Sequence, residues 1–252
     1  LIHLEGKNYL IDPVFSERAS MVQWAGPKRF HSVPEQINSV SEIDGIIISH
    51  DHYDHLDYQT ILELDHKTKR YFVPVGVGSH LTFWGIDPSK ITELDWWQSY
   101  HDDTVTLVAT PARHFSGRGL FDRNKTLWAS WSILSETKNI FYSGDSGFFE
   151  GYKEIGDRLG TFDLNFMQVG AYDSLWADIH MFPEEVVEAH KLLQAKQLVP
   201  LHWATFDLAI HSWDDPIERL VQSSEKEDIQ LILPTVGAQL FSDDKPVKKW
   251  WR

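Results

Sequence analysis

Short apolar runs separated by polar turns dominate the first two thirds of the chain, and longer amphipathic periods follow. Residues 1–4 and 9–11 flank Gly6-Lys7-Asn8 and predict a β-hairpin. Residues 45–49, Gly-Ile-Ile-Ile-Ser, form a nearly continuous β-branched run, the pattern of a buried strand. Residues 56–64 have helical spacing. Residues 71–75 and 105–109 predict strands, residues 126–134 alternate around Trp128 and Trp131, and residues 140–143 form a further strand ending at Gly144. Phe182-Pro183-Glu184-Glu185 opens a helix: proline suits the first helical position, and the two glutamates suit the positive end of its dipole. Val186, Ala189 and Leu193, with Val187, give that helix an apolar face. Residues 198–201 predict a strand, 216–227 a helix, and 231–233 and 239–241 close the pattern. Many short strands with interspersed helices predict an α/β chain of two sheets covered by helices. No repeat or low-complexity linker divides it, so residues 1–252 are expected to form one domain.

Composition narrows the function. Apolar residues make up 42% of the 252, enough for a substantial core. The 11 tryptophans are expected mostly in the core or in pocket walls. The formal net charge of −14, with no basic stripe, argues against nucleic acid as a partner. The cluster Lys248, Lys249, Arg252 is short and reads as a solvated tail. The chain has no cysteine, which excludes disulfides and thiolate metal ligands and points weakly to the cytoplasm. No apolar run is long enough to span a membrane. Leu1 is not a methionine and lies inside an apolar pattern, so an N-terminal piece is expected to precede it.

Ser49-His50-Asp51-His52-Tyr53-Asp54-His55-Leu56-Asp57 carries the strongest chemical signal. It follows the apolar strand and precedes a helix. In an extended segment His50 and His52 face the same side; after a turn, Asp54 and His55 can face a neighbouring point. One loop thus offers an imidazole pair and a carboxylate–imidazole pair, donors suited to zinc, with manganese or iron as alternatives. Further ligands must come from elsewhere. His114 follows the strand at 105–109, Asp145 lies in Ser143-Gly144-Asp145-Ser146-Gly147, and His202 follows the strand at 198–201. A carboxylate at a strand end can bridge two cations, so Asp145 is the candidate bridge. Two cations can lower the pKa of a shared water and create a nucleophile without a protein serine or cysteine.

That ordered set resembles the metallo-β-lactamase superfamily. The segments Asp12-Pro13-Val14-Phe15-Ser16-Glu17-Arg18-Ala19-Ser20, Gly26-Pro27-Lys28-Arg29-Phe30, Glu93-Leu94-Asp95-Trp96-Trp97, Asn124-Lys125-Thr126-Leu127-Trp128-Ala129-Ser130-Trp131, Gly170-Ala171-Tyr172 and Leu201-His202-Trp203-Ala204-Thr205-Phe206 resemble its N-acylphosphatidylethanolamine phospholipase D family. The resemblance implies an αββα four-layer sandwich and a first strand before Leu1. It assigns His50, His52 and His114 to one divalent ion and Asp54, His55 and His202 to a second, with Asp145 between them. It implies phosphodiester hydrolysis of N-acylphosphatidylethanolamine-like lipids through a metal-bridging hydroxide. A lactonase resembling the ascorbate-phosphate lactonases, and a non-catalytic lipid- or partner-binding module, are the competing readings.

Asp54, His180 and Tyr53 are the candidate catalytic groups. His180 matches a family histidine near the reaction centre and either polarises substrate or serves the fold. Ile179 stands where that family has a polar residue. Tyr53 either hydrogen-bonds a substrate oxygen or packs. Asp57 either orients a ligand histidine or caps the following helix. His66, His80, His101, His190 and His211 show no partner pattern. Expected partners are a small-molecule or lipid phosphodiester, the membrane as a peripheral surface, and a second copy of the chain in a homodimer. The expected location is cytoplasmic or peripheral to a membrane.

Overall fold

The computed structural model describes residues 1–34, 40–240 and 249–252. The chain divides into two compact units: residues 1–111 with 115–137, and residues 112–114 with 138–252.

The first unit begins with the hairpin of β1 (Ile2–Leu4) and β2 (Lys7–Ile11). Its turn is Glu5-Gly6, both at positive φ, and Leu4 pairs with Lys7. Lys7 and Asn8, expected in the turn, belong to β2, because a two-residue turn matches strand twist better than a longer one. The strands β3 (Gly45–Ile47), β4 (Tyr71–Pro74) and β5 (Ile91–Leu94) extend the sheet in sequence order, and every pair after the hairpin is parallel. Helices α1 (Tyr58–Leu64) and α2 (Gly78–Phe83) supply the crossovers. Ile43, Ile46, Ile48, Leu56, Ile61 and Leu81 are fully buried in one cluster. The unit also holds the antiparallel strands β6 (Ser99–His101), β7 (Val105–Thr110) and β8 (Ser130–Ser135). The strand expected from residue 126 starts only at Ser130. Residues 126–129 turn instead to the first sheet, where Leu127 N–H donates to Val75 O and Ala129 N–H to Ser49 O.

In the second unit β9 (Asn139–Tyr142), β10 (Leu164–Gln168), β11 (Gln197–Leu201) and β12 (Gln230–Leu231) run parallel. Helices α3 (Gly151–Leu159), α4 (Pro183–Leu192) and α5 (Asp215–Lys226) connect them. At the start of α4 the Glu185 side chain returns to the Phe182 N–H at 2.8 Å, satisfying a terminal donor. Gln239 and Leu240 form no strand, and Phe241 and Lys248 lie outside the described residues. No helix among the described residues is long and apolar enough to cross a membrane.

Candidate metal-binding residues

Parallel strands gather their carboxyl ends on one edge, so loops leaving those ends can meet. In the first unit, β2 ends at Asp12 and β3 leads into Ser49, strands paired in register at Ile11 and Ile47. Asp12 Oδ1 accepts from the Ser49 N–H at 2.7 Å, and Oδ2 accepts from Ser49 Oγ at 2.5 Å. Oδ2 also lies 2.6 Å from His55 Nδ1. That contact directs His55 Nε2 to the opposite side of the ring, where Asp54 Oδ2 lies 3.4 Å away. His50 Nδ1 lies 2.9 Å from Ser49 Oγ, and its Nε2 approaches His52 Nδ1 at 2.8 Å. Ligand atoms on one tetrahedral zinc, at bonds of about 2.0–2.1 Å, stand about 3.3 Å apart. The donor spacing within the 50–55 loop therefore fits a divalent cation, and all its donors are nitrogen or oxygen.

Asp51, between two candidate ligands, points away from them into the fold. Its carboxylate accepts from the Gly117 N–H at 2.7 Å and Thr126 Oγ1 at 3.0 Å, and lies 3.2 Å from His80 Nε2. Burial pushes the Asp51 carboxyl up, but these three contacts outweigh it and hold the group below the ordinary carboxylate range. The Arg118 guanidinium donates to the carbonyls of Asp51 and Leu56 at 2.6 and 2.7 Å. It stacks 4.0 Å from the Tyr53 ring, whose hydroxyl donates to Arg118 O at 3.0 Å. The ligand loop is thus pinned between the ends of its own segment and residues 117–126.

Asp57 occupies the residue before α1 but makes no side-chain cap. It neither caps the helix nor contacts a ligand histidine through any of these bonds. Its carboxylate accepts from the Ser16 N–H and Oγ and from Thr60 Oγ1 at 2.5 Å, tying the 13–16 segment to the helix.

In the second unit His114, Asp145 and His180 bring one donor atom each within 4.8 Å of one another. Asp145 leaves the end of β9. Its Oδ1 lies 3.3 Å from His202 Nε2, and Oδ2 lies 3.9 Å from His114 Nε2 and 4.0 Å from His180 Nε2. His114 Nδ1 faces the Ile179 carbonyl at 3.0 Å, which fixes the tautomer and leaves Nε2 as a ligand atom. Ile179 therefore serves this histidine through its backbone. The rings of His180 and His202 stack at 5.6 Å.

Two glycines let these loops close. A side chain on Gly147 would place Cβ 2.1 Å from Asp178 O, and one on Gly170 would lie 2.1 Å from His202 O. His202 itself adopts φ 62°, a left-handed conformation that aims its ring back toward Asp145.

Sequence reasoning singled out the donors but missed Asp12, Ser49, Asp51 and His80. The usable signal was local: Asp51 alternates with two candidate ligands, so an extended chain must turn it toward the fold, where a carboxylate requires donors.

Parallel strands with imidazole and carboxylate donors at their carboxyl ends, in mixed sheets flanked by helices, mark a metal-dependent hydrolase of the metallo-β-lactamase fold. Residues 7–203 match the model of the Beta-lactamase superfamily domain, and the chain belongs to that family. An uncharacterized protein of Mycobacterium tuberculosis is 43% identical, with the match covering 100% of this chain and 69% of that protein. N-acyl-phosphatidylethanolamine-hydrolyzing phospholipase D 1 of Caenorhabditis elegans is 34% identical, covering 91% of this chain and 68% of the worm protein. Among solved structures, a metallo hydrolase of the archaeon Ignicoccus hospitalis superposes with a TM-score of 0.70 at 20% identity, covering 93% of this chain and 90% of that one, a likeness of fold.

Proposed function

We propose that the chain is a zinc-dependent phosphodiesterase of phospholipase D type acting on N-acylphosphatidylethanolamine-like lipids at a membrane surface. The observation that carries the substrate class is the similarity to the worm phospholipase, which runs through 91% of this chain. In this reading residues 1–252 work as one domain. His50, His52 and His114 hold one ion, Asp54, His55 and His202 hold the other, and Asp145 serves both. The chemistry that the ions supply when bound is activation of water at neutral pH and neutralisation of charge at the phosphate.

The protein's own groups have defined tasks. Asp12 holds His55, and the Ile179 carbonyl holds His114, so each imidazole keeps its Nε2 available. His180, 4.0 Å from Asp145 but outside the two ligand sets, donates a hydrogen bond to a phosphate oxygen as charge develops. Tyr53 is committed to Arg118 through its hydroxyl, which supports a role in shaping the wall beside His52.

The test compares kcat/KM for an N-acylated phosphatidylethanolamine, a sugar lactone and a β-lactam at equal zinc loading. The phosphodiester is expected to be preferred. A lactone preference of about tenfold, equivalent to roughly 1.4 kcal/mol of transition-state discrimination, would overturn the assignment.

A further inference from the structure

The segment from Ser116 to Thr126 makes an ordered excursion, yet its tip is apolar and in water. Leu120 is 91% exposed and Phe121 88% exposed. Internal bonds hold the excursion: Asp122 accepts from the N–H groups of Arg118 and Gly119 at 3.1 and 2.8 Å, and Asn124 N–H donates to Ser116 O at 2.9 Å. Two adjacent large apolar side chains at a braced tip, rather than single scattered ones, mark an interaction surface.

We propose that Leu120 and Phe121 are the anchor by which this protein docks on an anionic lipid surface. The proposal deepens the lipid-phosphodiesterase reading by naming the docking element. Three observations favour a bilayer. The pair is small and almost wholly in solvent, which suits a wedge for the headgroup–acyl boundary rather than one wall of a protein groove. Residues 119–125 carry Arg123 and Lys125 against the single acid Asp122, in a chain whose net charge is −14, while the Arg118 guanidinium is turned inward onto the carbonyls of Asp51 and Leu56. Arg123 and Lys125 are exposed beside the tip, where they match anionic headgroups that the rest of the chain would repel. Finally, the base of the excursion is bolted to the ligand loop. Gly117 binds Asp51, the Arg123 guanidinium lies 4.3 Å from the Phe115 ring, and Phe115 packs 4.4 Å from the His52 ring. A tip inserted in lipid therefore fixes His52 and its neighbours close to the headgroup layer.

The experiment is co-sedimentation of the zinc-loaded protein with phosphatidylcholine vesicles, with and without phosphatidylglycerol, all free of N-acylated lipid. Binding is read without turnover, so its outcome is separable from that of the substrate assignment. The expected result is salt-sensitive binding to the phosphatidylglycerol vesicles. It should weaken at least about tenfold in Leu120→Ser/Phe121→Ser and several-fold in Arg123→Gln/Lys125→Gln. Unchanged melting temperature and zinc content establish that the variants remain folded; if the serine pair unfolds the protein, Leu120→Ala and Phe121→Ala singly carry the test. Equal sedimentation of wild type and tip variants, or no wild-type binding to either vesicle, overturns the proposal. So does a wild-type dimer that the tip substitutions dissociate, since that assigns the tip to a second copy of the chain.

Discussion

The Asp12 carboxylate meets His55 Nδ1 at 2.6 Å while also holding the N–H and Oγ of Ser49. One carboxylate at the end of β2 thereby orients an imidazole and fixes the start of the ligand loop. Removing such a partner typically costs 10–100-fold in metal affinity. Asp12→Ala is expected to lose zinc affinity in that range, and Asp12→Asn less, because the amide oxygen can still accept. Competition with a chromophoric chelator measures both; affinity unchanged in Asp12→Ala would leave the contact a feature of packing alone.

Asp145→Ala should damage metal retention and turnover more than His66→Ala. Asp145 approaches His114, His180 and His202 within 4.0 Å, whereas the His66 ring only bonds the carbonyl three residues before it. In the proposed centre its loss disturbs both ions. Wild-type protein is expected to hold about two zinc ions by elemental analysis. Equal effects of the two substitutions would mean that Asp145 bridges nothing.

His180→Ala is expected to lower kcat by about 10–1,000-fold with both ions retained, the range for loss of a positioned donor. Zinc content and rate must be read together on the same preparation. Loss of one ion would instead make His180 a ligand, an outcome its grouping with His114 and Asp145 gives a geometric basis.

What could be read from sequence was whatever local spacing encodes. The apolar run at 45–49 and the His-x-His-x-Asp-His spacing after it needed no knowledge of the remaining fold, nor did the Pro183 helix start. The strand-end positions of Asp145 and His202 followed from short apolar runs; strand β11 ends where its run does, and β9 ends one residue before the expected Ser143. Strand β10 (LNFMQ) escaped notice because Asn165 and Gln168 interrupt its apolar pattern, though both are buried. Helix α3 carries few apolar positions among charged ones, and α2 is only six residues long. The supporting contacts are nonlocal: Asp12 and His55 are 43 residues apart, and Asp51 and His80 are 29 apart. No periodicity reports such pairs. The expectation that tryptophan lies inside holds for Trp131, which is fully buried, and fails for Trp24, which is 82% exposed.

Acid should destabilise the fold partly through His190. This imidazole is buried on α4, with Nδ1 3.2 Å from Asn165 Nδ2, and burial pushes it down to about 4 from an ordinary 6.5. Between those values the unfolded chain binds a proton that the native state does not, so native stability falls as pH drops from 6.5 toward 4. The full effect is about 3 kcal/mol, at about 1.4 kcal/mol per pH unit. Urea melts of wild type and His190→Gln at pH 7 and pH 5 isolate this term. The variant should lose less stability over that interval, and parallel losses would remove His190 from the account.

Gly170→Ala tests whether the backbone, rather than ligand identity alone, holds His202 in place. The added Cβ would lie 2.1 Å from the His202 carbonyl oxygen, far inside contact distance, and the obstacle is main chain rather than a flexible side chain. The strain must therefore displace either the residue after β10 or the loop after β11. His202 leaves β11 with φ 62°, so a shift in its carbonyl reorients its side chain as well. Overpacking of this kind costs about 1–3 kcal/mol of stability. Gly160→Ala is the control: its Cβ would meet nothing within 4 Å, but its φ of 81° with ψ −169° lies in a region essentially reserved for glycine, at a cost of roughly 1–3 kcal/mol. Both variants should thus lose comparable stability, while only Gly170→Ala should lose zinc affinity and turnover. Matching zinc titrations in the two variants would show that the 202 loop relaxes without moving its imidazole, and His202 would then owe its position to the side-chain contacts around Asp145.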